Sequence, residues 1–310
     1  MRGRTAMLAG AVALVVAGGV VGGIAASQAA VTPSAAVAGG APYIFPADNG
    51  SVNPVSVMQK TGVRAFTLAF ILNRGNCSPV WNESSSLNNG AITSRINAIR
   101  KAGGDVVISF GGFSGSKLGN ACRTETALAG AYQKVINTYR LKTIDIDLEA
   151  GEVSQSVKVL KALKIVKQKN PGIQVILTLG TGTGGLVGDE APIPRQAASM
   201  GSPVDVWTIM PFDFSNDDSK VDHGKASVSA SEGLHRQLKS ALKLSDARIY
   251  AMQGISSMNA RTDANGNVTV GNFNTMLGYC QQHHLARFTF WELSRDPSLK
   301  YTRVIGKFTG

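Results

Sequence analysis

One α/β domain closed as a (β/α)8 TIM barrel is the fold class this sequence predicts, and three observations predict it. Eight short runs rich in apolar and β-branched residues alternate with amphipathic runs at helical spacing. Those eight runs are apolar at successive positions, the pattern of strands covered on both faces, and parallel strands so covered need a crossover element between each pair. The 310 residues, 44% hydrophobic and 16% charged, supply the core for one domain of barrel size, while 35 glycines and only 6% aromatics suit many tight turns between short elements. No heptad or fixed-period repeat runs along the chain, which excludes coiled coils and solenoids.

Strands are expected at Tyr43–Phe45, Ala65–Leu72, Val106–Phe110, Thr143–Glu149, Gln174–Leu179, Val206–Pro211, Ile249–Gly254 and Phe288–Leu293, each an apolar run bounded by turn residues. Helices are expected between them at Thr93–Ala102, Thr124–Arg140, Ser156–Lys169, Ser229–Lys243 and Phe273–His284, several closed by glycine or proline such as Gly103 and Pro171. In a parallel barrel the chemistry gathers where the strands end at their carboxyl side.

Residues 1–29 read as a secretory signal peptide, 30–40 as a loose leader and 41–310 as the barrel domain. Arg2 and Arg4 precede an apolar stretch from Met7 to Ala26, and the small residues before and at Ala29 suit cleavage there. An uncleaved membrane anchor is the alternative. The glycines of the stretch, and the lack of positive charge between it and Lys60, favour cleavage, and with it a secreted chain that has no stable membrane association.

The chain is basic, with a formal net charge of +11, and loss of Arg2 and Arg4 would lower this only by two. A nucleic-acid partner is not indicated. The longest basic grouping, Lys158, Lys161, Lys164, Lys167 and Lys169, alternates with Val159, Leu160, Leu163, Ile165 and Val166 as the solvated face of a helix does. Attraction to anionic cell-wall polymers is the weak consequence of charge alone. Outside the cell a disulfide becomes available, and Cys77 with Cys122, each in a loop of small polar residues, is the expected pair, leaving Cys280 as a buried thiol. His223, His235, His283 and His284 show no metal-ligand spacing, and no metal or cofactor is expected.

The fourth strand is the unusual one. In Thr143-Ile144-Asp145-Ile146-Asp147-Leu148-Glu149 the three carboxyls fall on one face and the three aliphatic residues on the other. With the aliphatic face turned to the helices, Asp145, Asp147 and Glu149 point into the barrel, about 7 Å apart along the strand, where mutual repulsion holds at least one proton in place. That suits a proton donor at Glu149 backed by two deeper acids; a divalent-cation site or the solvated face of an edge strand are the alternatives. At the same rim the third strand ends in Ser109-Phe110-Gly111-Gly112, the sixth in Met210-Pro211-Phe212-Asp213-Phe214, and the eighth in Trp291, whose ring offers a plate for the apolar face of a sugar or serves core packing. Two motifs fail in context. Gly180–Gly185 matches the dinucleotide fingerprint, but Pro192 and Pro194 disrupt the helix that should follow. Gly112-Phe113-Ser114-Gly115-Ser116 lacks the last glycine of a nucleophile elbow.

Together these residues resemble the chitinases of glycoside hydrolase family 18, most closely the bacterial single-barrel type. That family carries Asp-x-x-Asp-x-Asp-x-Glu on its fourth strand and Ser-x-Gly-Gly on its third. Asp145, Asp147 and Glu149 match the last three acids, Ser109, Gly111 and Gly112 match the second motif, and the likeness runs from about Ala65 to Pro297. The resemblance implies a retaining, substrate-assisted reaction, family 18 being an exception to the two-carboxylate scheme of most glycosidases. Glu149 would be acid and then base, Asp147 would orient the substrate's acetamido group while sharing charge with Asp145, and Met210, Asp213 and Trp291 would bind the reacting sugar. The implied partner is chitin or an N-acetylglucosamine oligosaccharide, bound by a monomer.

Departures from the family pattern are Lys142 in place of the first aspartate, and Phe212 and Phe214 in place of hydroxyl-bearing residues, with Glu292 placed either to compensate or to lie in solvent. The short span from Ile255 to Phe273 leaves no room for the α+β insertion of some members, which implies a shallow cleft and endo cleavage. An endo-β-N-acetylglucosaminidase acting on N-glycans and a catalytically weak chitin-binding lectin are the other readings that these residues leave open.

Overall fold

The computed structural model describes residues 39–46 and 52–310, so the expected signal peptide and most of the expected leader lie outside the described residues. Among the described residues no helix is long and apolar enough to cross a membrane.

Eight strands form a parallel wall: β1 (Tyr43–Ile44), β2 (Ala65–Asn73), β4 (Asp105–Gly111), β5 (Thr143–Leu148), β6 (Gln174–Gly180), β7 (Val206–Met210), β8 (Gln253–Met258) and β11 (Arg287–Trp291), each paired with the next in that order. β3 (Pro79–Trp81) folds back antiparallel on β2, and β9 (Ala260–Arg261) pairs with β10 (Asn267–Val268) beyond the end of β8. The ring is drawn together between its first and last strands by the residues just before β1. The Phe288 amide donates to the Gly39 carbonyl at 3.3 Å, and the hydroxyls of Thr67 and Thr289 both donate to the Ala41 carbonyl, at 2.8 and 2.6 Å. This is the (β/α)8 barrel expected from the alternation of strand and helix patterns.

Each wall residue faces either the helices or the barrel interior. Ile108, Ile144, Ile146, Leu148, Leu177, Trp207, Ile209, Phe288 and Phe290 belong to the large apolar layer between wall and helices. Val107, Ile176 and Val206 form a small separate cluster inside. The rest of the interior is polar: Thr67, Ser109, Asp145, Thr178, Thr208, Arg287 and Thr289 are all buried. Arg287 donates to the Thr67 hydroxyl at 2.7 Å and lies over the Tyr43 ring, and a side chain on Gly254 would meet it at 2.8 Å.

The covering helices are α1 (Pro54–Thr61), α2 (Gly90–Lys101), α3 (Leu118–Ala121), α4 (Glu125–Tyr139), α5 (Ser156–Lys169), α6 (Ile193–Ser199), α7 (His223–Leu242), α8 (Asp246–Tyr250), α9 (Val270–Gln282) and α10 (Thr302–Ile305). Three differences from the sequence expectations have clear causes. The seventh barrel strand is Gln253–Met258, not Ile249–Gly254: the Ser245 hydroxyl accepts from the Arg248 amide and winds the apolar run Ile249-Tyr250 into α8. α7 begins at His223 rather than Ser229 because Asp222 caps the Gly224 and Lys225 amides, ahead of any apolar periodicity. α9 begins at Val270 because Thr269 and Asn272 form a reciprocal capping box, with asparagine where glutamate or glutamine is usual.

Cys77, in the turn between β2 and β3, is bonded to Cys122, which caps α3. Cys280 is free and buried in α9. The bridge closes a loop of 45 residues. Replacing both partners by alanine is expected to lower stability by about 2–4 kcal/mol, read as a drop in the denaturant midpoint. Thiol titration of the unfolded, unreduced wild type should count only Cys280.

Candidate active site

The acidic residues of β5 line the barrel interior in a column, because alternate side chains of one strand share a face. Asp145, deepest and fully buried, accepts from three hydroxyls: Tyr43 at 2.8 Å, Ser109 at 2.6 Å and Thr178 at 2.7 Å. These come from β1, β4 and β6, so a single carboxyl ties three strands of the wall to a fourth. Asp147 is buried above it, with Oδ1 free of hydrogen-bond partners. Burial pushes its carboxyl well above the usual carboxylate range, and the neighbouring Glu149 and Asp145 push it the same way. Glu149 follows the last residue of β5 in extended backbone, which keeps it on the same face at the mouth. Burial raises its carboxyl to about 7, against the lowering pull of the Lys117 ammonium and the Asp147 side chain.

Gly111 and Gly112 bring the end of β4 against the end of β5. Both have positive φ, and the Gly112 amide donates to the Asp147 carbonyl at 2.9 Å. A Cβ on Gly111 would lie 2.2 Å from that carbonyl oxygen, and one on Gly112 would lie 2.7 Å from the Phe70 ring. Glycine is therefore required here by close packing under the cleft. Ser109 lies one layer deeper and touches Asp145, not the cleft.

Above the acids opens a cleft of about 1010 Å³, lined by Asp147, Glu149, Met210, Phe212, Asp213 and Trp291 among others. The Trp291 ring stacks on Phe70 at 5.4 Å between centroids, and the edges of Tyr43 and Phe45 hold it from the side. It is a braced apolar plate in the cleft that Asp147 and Glu149 also line. Asp213 accepts from the Ala264 amide at 2.7 Å, which ties the β7 loop to the turn between β9 and β10 and leaves its second oxygen available. Phe113 stands at the rim, 76% exposed.

Among the described residues no group of three His, Cys, Asp or Glu side chains has metal-site geometry. Gly180–Gly185 is a packing turn: a Cβ on Gly233 of α7 would sit 1.9 Å from the Gly184 carbonyl oxygen, so helix and turn meet backbone to backbone. Glu292 is neither solvated nor turned to the cleft; it is buried and accepts from Ser294 at the start of a short 3-10 turn.

No family model matches the chain. Over 274 residues, 83% of this chain, it is 28% identical to a probable bifunctional chitinase/lysozyme of Escherichia coli, and it is 27% identical to endochitinase 11 of Metarhizium anisopliae over 272 residues. It spans 30% and 52% of the length of those relatives. The catalytic domain of a hyperthermophilic chitinase from Pyrococcus furiosus superposes with a TM-score of 0.79 at 29% identity, over 86% of this chain and 93% of that one. Catalytic-site mutants of that domain have been solved in complex with chito-oligosaccharides. Over most of its length the chain is thus similar to named chitinases, and its fold is also that of a solved glycoside hydrolase family 18 chitinase from Pseudoalteromonas aurantia. Within that barrel, the structure gathers Asp147, Glu149, Met210, Asp213 and Trp291 around one opening, and it sets Asp145, Ser109, Gly111 and Gly112 behind them as supports.

Sequence reading missed four residues of this site. Tyr43 and Phe70 come from strands whose inward residues carry no motif. Lys117 and Glu152 are buried in the segments that follow β4 and β5, Lys117 in a stretch of small residues and Glu152 three positions after Glu149. Burial raises the Glu152 carboxyl to about 7, with the Gly119 amide and Lys117 opposing the rise. A carboxyl raised in the folded state binds its proton more tightly there than in the unfolded chain. The stability it contributes is full below about pH 4.5 and is lost as pH rises through about 7. Glu149→Gln should therefore match wild type in thermal melts near pH 4 and exceed it at pH 8, by roughly 2–3 kcal/mol.

Proposed function

We propose that this chain is the catalytic domain of an exported, retaining chitinase that cleaves β-1,4-linked N-acetylglucosamine chains internally. The observation that carries the reading is the column of Asp145, Asp147 and Glu149 ending in the cleft opposite the Trp291 plate. The chitinases among its relatives support it, as do the chito-oligosaccharide complexes of the Pyrococcus furiosus chitinase.

Each residue has a role that its surroundings suit. Glu149, kept protonated up to about pH 7 by burial, donates its proton to the glycosidic oxygen as the bond to the anomeric carbon breaks. The acetamido oxygen of the same sugar forms the new bond to that carbon. Asp147, with a free Oδ1, accepts from the acetamido N–H and steers the attack. Water then opens the cyclic intermediate, Glu149 takes the water's proton, and the anomeric configuration is retained. Asp145, engaged by three hydroxyls, holds the column in place and shares charge with Asp147. Trp291 floors the reacting sugar, and Met210 and Asp213 form the wall. Phe212 lies in the cleft without a hydroxyl to offer the acetamido oxygen, which lowers turnover relative to tyrosine-bearing members. The apolar stretch ahead of Ala29 supports export.

The decisive experiment follows products. Mature protein incubated with an N-acetylglucosamine hexasaccharide should release internal fragments that are initially in the β configuration, and it should leave a high-mannose glycoprotein intact. Release of the glycan instead would make it an endo-β-N-acetylglucosaminidase, and binding without products would make it a lectin. Glu149→Gln should reduce kcat by about 10²–10⁴ while oligosaccharide still binds. In the wild type kcat/KM should fall on an alkaline limb near pH 7, as the donor loses its proton.

A further inference from the structure

Behind the cleft wall, in the loop that follows β4, lies a buried cation that the reaction scheme leaves without a task. Lys117 is 5% exposed, at the N-cap of α3. Its ammonium donates to the Ser114 carbonyl and, at 3.4 Å, to the Gly111 carbonyl, and it belongs to no ion pair of the described residues. Burying a charge is costly unless opposite charge surrounds it. The carboxyls that act on it at longer range are Glu152, Glu149, Asp147 and Glu83.

Glu152 is 2% exposed. Its Oε1 accepts from the Gly119 amide at 2.6 Å, while Oε2 has no partner and would lie 3.1 Å from a Cβ on Gly111. Gly111 is the residue that packs on the Asp147 carbonyl. Lys117 and Glu152 therefore both adjoin Gly111, the residue packed on the backbone that carries the acids of the cleft.

We propose that Lys117 and Glu152 are positioning residues that fix the proton count of the Asp147 and Glu149 pair: the lysine's charge holds the pair to one shared proton, and an ionised Glu152 keeps that proton from leaving. This rests on the functional reading above, since that proton is the one Glu149 hands to the leaving oxygen. The other groups facing the pair are Asp145 below it, the Tyr43 hydroxyl from β1, and Glu190 in the turn before α6. Lys158 of α5 and Tyr132 of α4 face Glu152, and Arg287 faces Tyr43. Of the cations among them, only Lys117 acts on both Asp147 and Glu149.

The test compares wild type, Lys117→Met, Lys117→Arg and Glu152→Gln by pH profiles of kcat/KM on an N-acetylglucosamine hexasaccharide. A parallel ¹³C NMR titration follows the Asp and Glu carboxyls of the resting proteins. Lys117→Met should move both limbs and both carboxyl titrations upward by about half a unit or more, and Lys117→Arg should restore them. Glu152 carries charge only above about pH 7, so Glu152→Gln should lower the alkaline limb and leave the acidic limb in place. A uniform loss of rate with unmoved limbs and titrations would reduce Lys117 to a packing role and overturn the proposal. If Lys117→Met does not fold, an unmoved alkaline limb in Glu152→Gln overturns it equally. Shifted carboxyl titrations in proteins that release no product would sink the functional reading and leave the charge coupling standing.

Discussion

Three carboxyls on one face of a strand, turned into the interior of a barrel, form the constraint around which this molecule is arranged. Such a column is unfavourable when ionised and wasteful when fully protonated, so each acid meets a different environment. Asp145 is surrounded by hydroxyls from three strands. Asp147 is buried with one oxygen left without a partner. Glu149 stands at the mouth, where burial is incomplete and its carboxyl is raised only to about 7. The gradient from satisfied to available runs along one strand, from the bottom of the barrel to its opening.

The rest of the interior follows from that column. A polar barrel centre needs partners for its hydroxyls and charges, and Thr67, Thr289 and Arg287 find theirs at the seam where β1 and β11 approach. Adhesion is supplied outside the wall, where the aliphatic residues between the acids join the apolar layer under the helices. Glycines are spent where acids and supports come closest: Gly111 against Asp147 and Glu152, Gly112 against Phe70, Gly254 against Arg287. A family motif that looks like a substrate loop is in this chain a set of clearances beneath the site.

Legibility in the sequence tracked how local the cause was. Ser156–Lys169 could be read to its ends because its apolar face recurs at helical spacing throughout and Pro171 follows it. The strand after α8 could not. Gln253-Gly254-Ile255-Ser256-Ser257-Met258 is small and polar because it faces Arg287 and the cleft, while the more strand-like Ile249-Tyr250 beside it is claimed by a serine cap. Glu292 offered no sign of whether it served the cleft or lay in solvent, and the structure gives it neither place: it is buried and accepts from Ser294.

What the sequence by itself determined is the alternation of strand and helix, the pairing of Cys77 with Cys122, and the alignment of Asp145, Asp147 and Glu149. The alternation and the alignment depend on periodicity along a short stretch of chain, and the pairing on there being only three cysteines, two of them in loops of small polar residues. Only the tertiary structure decided that Tyr43 and Thr178 hold Asp145, that Phe70 braces Trp291, and that Lys117 and Glu152 lie buried against Gly111. Those partners come from different strands and loops, and closure of the barrel alone brings them within reach. Burial, which sets the protonation of Glu149, exists only once that closure has excluded water.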